Sequence, residues 1–347
     1  MKCAKIFEKG KVTVVETEIP QPGPGEVLIA MRASALCRSD LHRYHGKQLF
    51  DNEDDAQNFT PGHEPCGVVA KMGEGVTRVK PGDRVALYLG LGCGECEYCL
   101  RGDVNLCRKF ECIGFARDGA HADYMVIPEY NCLPMPDDMD FITGALATDV
   151  GGTLYTACKR LGVRGGKTVV IFGMGPMGCG GVLMAKAYGG RVIAVDVDAS
   201  RLDLAKELGA DHIVNSRNVD ALGEILALTG GNGADIAIDC SGNEKAENQA
   251  LDCVKGHGSV GFIGESDKCT INISLQYIRK CTRVLGCWYF NRGDWPEIAA
   301  FIMGGNIPLN KICSHTFPID DADEAFRLFD NHATQKVVFV WDGKVAK

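Results

Sequence analysis

The chain has 347 residues, 46% of them hydrophobic and 24% charged, which is enough apolar material for about two domain cores. Its 45 acidic residues outnumber 37 basic ones, and the net charge of −8 argues against a general nucleic-acid binder, which needs a basic face. No apolar run reaches the ~18 residues of a membrane-spanning helix, and the first residues do not read as a secretory leader. The 17 cysteines, an odd number, fit reduced thiols in a cytoplasm better than a disulfide scaffold.

The first ~150 residues read as β structure. "VTVVETEI" and "EVLIAMRASAL" have the β-branched and apolar residues of strands and are separated by the breaker "PQPGPGE". "LCRSDLH" follows and offers Cys37, Asp40 and His42. "TPGHEPCG" then sets His63 beside Glu64, between Gly62 and Pro65. Neighbours on a regular strand point to opposite faces. Both side chains can reach one metal only where the backbone turns, and Gly62 and Pro65 permit that. "CGVVAKMGEGVTRVKPGDRVALY" reads as short strands joined by turns at Gly73 and Gly75 and at Pro81, Gly82 and Asp83.

"CGECEYCLRGDVNLC" spaces Cys93, Cys96, Cys99 and Cys107 as C-x2-C-x2-C-x7-C. Four thiolates this close match a closed tetrahedral zinc site, which is structural. The lobe around residues 90–110, rich in glycine and charge, could hardly fold without its metal. Spacing alone leaves an iron–sulfur cluster open, whereas a nucleic-acid zinc ribbon fits poorly with Glu95 and Glu97.

Near residue 153 the texture changes. "KTVVIFGMG" is a short buried-strand run, "GCGGVLMAKAYG" is helical, and "RVIAVDVD", "SRLDLAKELGA", "DHIVNS", "GADIAIDCSG" and "GSVGFIGE" continue the alternation of a doubly wound α/β domain. "VVIFGMGPMG" holds G-x-G-x-x-G at Gly173, Gly175 and Gly178. It follows a strand, opens a helix and is answered by Asp196 at the end of the next strand, the context of a dinucleotide site. The helix N-terminus offers free N–H groups to a pyrophosphate. Asp196 can accept hydrogen bonds from a ribose diol and would repel a 2′-phosphate. Val197 and Asp198 bring no positive charge to offset that, and Arg201 lies five residues on, so NAD is expected rather than NADP. Asp198 or Ser200 can serve as the helix cap. After residue ~290, "DADEAFRLFDN" reads as an amphipathic helix with Ala325, Leu328 and Phe329 on one side, and "KVVFVW" as a final strand. That tail is too short to stand alone and is expected to pack back on the first domain.

From the residues alone, His63 and Glu64 together with Cys37 and with Asp149 of "ATDVGGT" make a plausible catalytic zinc site, with a packed or surface histidine as the alternative. "CRSDLH", "GHEPCG", "VKPGDRV", the cysteine quartet, "GMGPMG", Asp196 and the closing helix, in that order, resemble the zinc-dependent medium-chain alcohol and polyol dehydrogenases over nearly the full length. The resemblance implies a GroES-like, β-rich catalytic domain from residues 1–152 and 291–347, with a Rossmann NAD-binding domain, 153–290, inserted between its parts. It implies two zinc ions and one NAD per chain. Cys37, His63 and Asp149 would hold the catalytic zinc, and Glu64 would take the fourth position when substrate or water leaves. Asp149 departs from the animal liver-type branch, which has cysteine there, and "TDVGGT" looks like the bacterial secondary alcohol dehydrogenases. Asp40 would orient His63. Arg38 would touch the pyrophosphate and Thr153 would bound the nicotinamide, while Pro176, Met177, Cys240 and Ile263 join the cofactor residues.

The implied reaction takes a secondary alcohol to the ketone. The metal lowers the alcohol's pKa, Ser39 takes the hydroxyl proton and His42 relays it to solvent, and hydride passes to C4 of the nicotinamide. Polyols, cyclitols and similar secondary alcohols are the expected substrates, with a simple alcohol or a threonine-type substrate as alternative. "CWYFNRGDW", with Trp288, Tyr289, Phe290 and Trp295, resembles the bacterial polyol and cyclitol members. The acidic run Asp51, Glu53, Asp54 and Asp55 is either a solvated loop or a pocket rim that disfavours anionic substrates. A homotetramer is expected, with a dimer as alternative, and neither nucleic acid nor membrane as partner. A non-redox zinc hydrolase or lyase is opposed by the glycine fingerprint, and a zinc-stapled binding protein by the acidic balance.

Overall fold

A computed structural model of the chain describes residues 1–48 and 58–342; the acidic run Asp51, Glu53, Asp54 and Asp55 lies outside the described residues. β1 (Lys2–Glu8) and β2 (Lys11–Glu16) pair antiparallel. β3 (Glu26–Ala35) is buried along almost its whole length, in keeping with its apolar run from Val27 to Met31. Next come α1 (Arg38–Tyr44), β4 (Glu64–Met72), β5 (Arg84–Leu87) and β6 (Gly90–Leu91). α2 (Glu97–Arg101), β7 (Glu111–Cys112), β8 (Tyr124–Pro128), β9 (Cys132–Pro134) and α3 (Phe141–Leu146) follow. A single π-helical turn, Ala147–Gly151, then leads into α4 (Gly152–Leu161).

Strand and helix alternate from there: β10 (Thr168–Phe172), α5 (Pro176–Ala187), β11 (Arg191–Asp196), α6 (Ala199–Glu207) and β12 (His212–Asn215). α7 (Ala221–Leu228), β13 (Ala234–Asp239), α8 (Glu244–Cys253), β14 (Val254–Phe262) and β15 (Arg283–Gly286) complete the series. These six strands are all parallel, in the order β12-β11-β10-β13-β14-β15. The order reverses direction at β10, the topological switch point of a doubly wound sheet.

The chain then returns through α9 (Trp295–Gly304), β16 (Cys313–Phe317), α10 (Ala322–Asp330) and β17 (Lys336–Val340). β17 pairs antiparallel with β3 at Ala33 to Ala35, while β8 takes the Glu26 to Ala30 stretch of that edge. The larger sheet therefore runs β16-β17-β3-β4-β5-β9. Two compact units result. One is Met1–Asp149 with Phe290–Met303 and Leu309–Lys347; the other is Val150–Tyr289 with Gly304–Pro308. Among the described residues no helix is long and apolar enough to cross a membrane.

The buried stripe of α10 differs from the sequence reading. Ala322, Ala325, Phe326 and Phe329 face a core with Ala4, Val12, Leu41, Tyr44 and Phe339, and Leu328 is only half-buried. Spacings of three and four residues make that set one helical face. Of the aromatic run, Tyr289, Phe290 and Trp295 are buried and Trp288 is exposed.

The turn between β10 and α5 depends on close approach. A Cβ on Gly178 would fall 1.8 Å from the carbonyl oxygen of Gly173. Gly178→Ala must push helix and turn apart, and a cost of about 1–3 kcal/mol is expected. Denaturant unfolding checks this; an unchanged midpoint would contradict it.

Candidate functional site

Cys37 is the residue that caps α1. Its backbone N–H donates to Asp40 Oδ2 at 2.9 Å, closing a capping box in which the carboxylate three residues on anchors the helix start. His63 and Glu64 follow Gly62, whose φ of +101° only glycine adopts readily. Glu64 is the first residue of β4, so His63 lies on the turn and Glu64 on the strand, which answers how adjacent side chains can converge. Asp149 projects from the π-helical turn, an irregularity that often marks functional sites. One ligand atom each from Cys37, His63, Glu64 and Asp149 lies within 4.8 Å of the others.

The surroundings of this cluster fix its charges. Asp40 is wholly buried, with Oδ1 3.3 Å from His63 Nδ1 and accepting the Gly62 N–H at 3.2 Å. Burial alone would raise the Asp40 pKa, but His63, His121 and the Cys37 N–H outweigh it and bring it down to about 2. Asp40 in turn holds His63 well above the ordinary imidazole value despite burial. With Nδ1 turned to Asp40, Nε2 is left for a metal.

Lys336, at the head of β17, escaped the sequence reading. Its ammonium is buried, donates to the Leu36 carbonyl at 2.9 Å and forms an ion pair with Glu64 Oε1. Burial opposes its charge, yet Glu64, Cys37 and Asp149 raise its pKa above the ordinary value. Burial likewise pushes Glu64 well up, with Lys336 opposing and Asp149 and Cys37 adding. Burial pushes the Cys37 thiol up too, but Lys336 and His63 win and lower it. A charged residue opening an otherwise apolar strand, "KVVFVW", was the signal available.

One thiol and two carboxylates thus face a single ammonium in the interior. Glu64 Oε2 is buried without a hydrogen-bond partner among the described residues, a costly state unless a cation completes it. Thiolate, imidazole and carboxylate are zinc's donor set. The residues fit a zinc ion held by Cys37, His63 and Asp149, with Glu64 in reach. Ser39 Oγ is 3.9 Å from Cys37 Sγ, and His42, one turn further along α1, is half-buried. Arg38 is exposed, with its guanidinium against His332.

The second cluster is the quartet. Cys93, Cys96, Cys99 and Cys107 also bring their sulfurs within 4.8 Å of one another. Backbone N–H groups are aimed at the sulfurs: Cys93 and Lys109 donate to Cys107 at 3.4 and 3.3 Å, and Cys96 donates to Cys93 at 3.4 Å. Hydrogen bonds from Glu95 and Cys96 bring the Cys93 thiol down to about 7. Burial pushes Cys99 up to about 12, a proton that metal binding would displace. The set fits a four-thiolate structural zinc.

In the other unit, Pro176 stands at the first turn of α5 beside Met177, with Gly175 as N-cap. Gly173 has φ +84° and lies against Ser241. Asp196 has a role that the sequence did not reveal. Its Oδ2 accepts the Met174 N–H at 2.5 Å, and its Oδ1 accepts Val197 and Asp198 N–H at 2.7 and 2.9 Å. The carboxylate therefore ties the glycine turn to the end of β11, with lone-pair capacity left for one more donor. Asp198 caps α6, accepting the Ser200 and Arg201 N–H groups. Cys240 and Ile263, both half-buried, lie just past the carboxyl ends of β13 and β14, the end at which such sheets bind ligands. Thr153 is buried in α4.

The chain is similar to known proteins over nearly its whole length. A zinc-binding dehydrogenase family model matches residues 176–303, and an alcohol dehydrogenase GroES-like domain model matches residues 23–137. The chain is 33% identical to L-threonine 3-dehydrogenase of Pyrococcus horikoshii over 94% of each chain. It is 30% identical to sorbitol dehydrogenase of Bacillus subtilis over 98% of this chain and 97% of that one. Among solved structures it is similar to an Escherichia coli oxidoreductase/dehydrogenase of unknown specificity, with TM-score 0.90, 28% identity and 98% of both chains covered.

Lys336→Met keeps most of the side-chain volume but strands Glu64 in the interior. A loss of about 3–5 kcal/mol in denaturant unfolding is expected, with partial recovery on adding Glu64→Gln. A loss below about 1 kcal/mol would contradict the buried pair's role.

Proposed function

Because the chain belongs to the zinc-dependent medium-chain alcohol dehydrogenase family and is a zinc alcohol dehydrogenase, we propose that it oxidises a secondary alcohol, a polyol, cyclitol or similar, to the ketone with NAD. One observation carries this reading: Cys37, His63, Glu64 and Asp149 converge within 4.8 Å in a site whose negative charge Lys336 partly offsets. Zinc bound there would supply the Lewis acidity that makes the alcohol proton easier to remove. The chain's residues do the rest. Ser39 accepts the substrate hydroxyl's hydrogen bond, and His42, one turn along α1, hands the proton on to water. Asp40 keeps His63 in the tautomer that binds through Nε2. Glu64, held at Oε1 by Lys336, keeps Oε2 available as a fourth donor.

NAD would supply the hydride acceptor. The α5 N-terminus and its glycine turn receive the pyrophosphate, and among the described residues nothing beyond its chain neighbours lies within 4 Å of where a Cβ on Gly175 would project. Asp196 has its remaining acceptor capacity for the ribose diol, and no basic residue follows it until Arg201, which favours NAD over NADP. Arg38, Thr153, Arg201, Cys240 and Ile263 are proposed as further cofactor contacts.

Of the compounds in the relatives' names, threonine has a secondary hydroxyl as its alcohol group and sorbitol carries secondary hydroxyls beside primary ones, which supports including secondary alcohols in the substrate class. A homotetramer is proposed, with a dimer as alternative. Ile273, Leu275, Ile278 and Trp288 expose apolar surface close in sequence to the edge strand β15, the kind of surface a second copy covers. The thiols of both clusters suit a reducing, cytoplasmic setting.

The test is a cofactor-reduction screen over polyols, cyclitols, simple secondary alcohols and L-threonine. Turnover of a secondary alcohol is expected, with kcat/KM for NAD at least about tenfold above that for NADP. No reduction with any of these compounds would overturn the reading, and preference for NADP would overturn the role given to Asp196.

A further inference from the structure

His121 lies three residues before β8 and is 0% exposed. The segment carrying it is clamped to the turn before His63. Gly119, Ala120 and His121 donate backbone N–H groups to Thr60, Gly62 and Pro61 at 2.6, 2.9 and 2.9 Å. The ring lies over Gly62, where a Cβ would fall 2.5 Å from His121 Nδ1. Phe326 and Phe339 meet it edge-on, with centroids at 5.9 and 4.8 Å. Nδ1 is 2.9 Å from Ser34 Oγ. Nε2 has no hydrogen-bond partner among the described residues and stands 4.0 Å from Asp40 Oδ2.

Packing between two phenylalanines asks only for an apolar ring, and a buried imidazole nitrogen without a partner is costly. The tautomer gives this nitrogen a purpose. Were Nδ1–H donating to Ser34, the Nε2 lone pair would face a carboxylate across 4.0 Å, which is repulsive. With Ser34 Oγ–H donating to Nδ1, Nε2 carries its proton towards Asp40. At 4.0 Å this is not a hydrogen bond. In a fully buried setting it is still a favourable dipole-to-charge contact.

We propose that His121 is a positioning residue for the metal centre. It fixes the Asp40 carboxylate from one side and the Gly62 turn by contact, and so sets the His63 ring that Asp40 faces from the other side. This rests on the zinc dehydrogenase reading above. Asp40 then has four fixed neighbours: the Cys37 and Gly62 N–H groups and two imidazoles. His121 touches neither substrate nor cofactor and acts through Asp40.

His121→Phe keeps a ring of similar shape and removes both nitrogens. Zinc per chain is counted on purified holoenzyme before and during a timed chelator challenge, alongside kcat and KM, for the wild type, His121→Phe, Asp40→Asn, the double variant and Ser34→Ala. The wild type is expected to hold two zincs. His121→Phe is expected to keep the quartet zinc, to release the other at least about tenfold faster, and to lose kcat with KM little changed. In the Asp40→Asn background the same change should add less than about twofold, since both act on one carboxylate. Ser34→Ala, which frees the tautomer without touching the packing, should shift release in the same direction by less. Wild-type release in His121→Phe, or a fully additive effect in the double variant, would overturn the role of His121 alone. Should His121→Phe lose both zincs through misfolding, unaltered release in Ser34→Ala overturns it. A wild type holding one zinc would instead overturn the reading beneath it.

Discussion

The first unit is organised around an excess of negative charge in its interior. Cys37, Glu64 and Asp149 present three acidic donors within one small volume, with Lys336 as the buried ammonium paired to Glu64. Burying unpaired charge costs several kcal/mol per ion, so the fold must bring that cation in and leave a place for another. Lys336 lies 272 residues from Glu64 in the chain. It reaches the site only because β17 returns to pair with β3. α10 precedes β17 and packs on the same core through Ala322, Ala325, Phe326 and Phe329. The C-terminal return therefore completes the electrostatics of a site whose other donors all lie before residue 150.

Around the donors, carboxylates act as struts for backbone. Asp40 ties the start of α1 to the Gly62 turn and faces His63. In the second unit Asp196 does the same for the glycine turn, holding Met174 and the two residues after β11. Both are buried, and the sequence points to Asp40 as orienting His63 and to Asp196 as facing a ribose. Their backbone roles explain how loops rich in glycine keep one shape. A carboxylate that accepts several N–H bonds holds its charge and its neighbours together.

The parts legible in the sequence were local. The quartet lies within 15 residues, and spacing that tight leaves few readings. The glycine fingerprint announced a strand, a turn and a helix in order, and the structure has them as β10, the turn and α5. Cys37, the His63–Glu64 pair and Asp149 are far apart in sequence, and residue chemistry alone made them only a candidate set; resemblance to a family supplied the assignment. Lys336 and His121 went unseen because their partners are tens to hundreds of residues away, and the one local cue, a lysine opening the apolar run "KVVFVW", does not say what it pairs with. The π-helical turn at Asp149 carries no composition cue either. The stripe of α10 was misread by one residue because Leu328 is apolar and the packing register against Tyr44 and Phe339 is set only in three dimensions.

The central claim is that one chain carries two chemically different zinc sites. Zinc-edge X-ray absorption on the purified protein, with elemental analysis of the same sample, tests it directly. Two zincs per chain are expected, with an average shell of about 2.5 sulfurs per zinc and lighter nitrogen or oxygen ligands making up the remainder. One zinc per chain in a shell of about four sulfurs would contradict the account, leaving the quartet alone and the Cys37, His63 and Asp149 cluster without a metal.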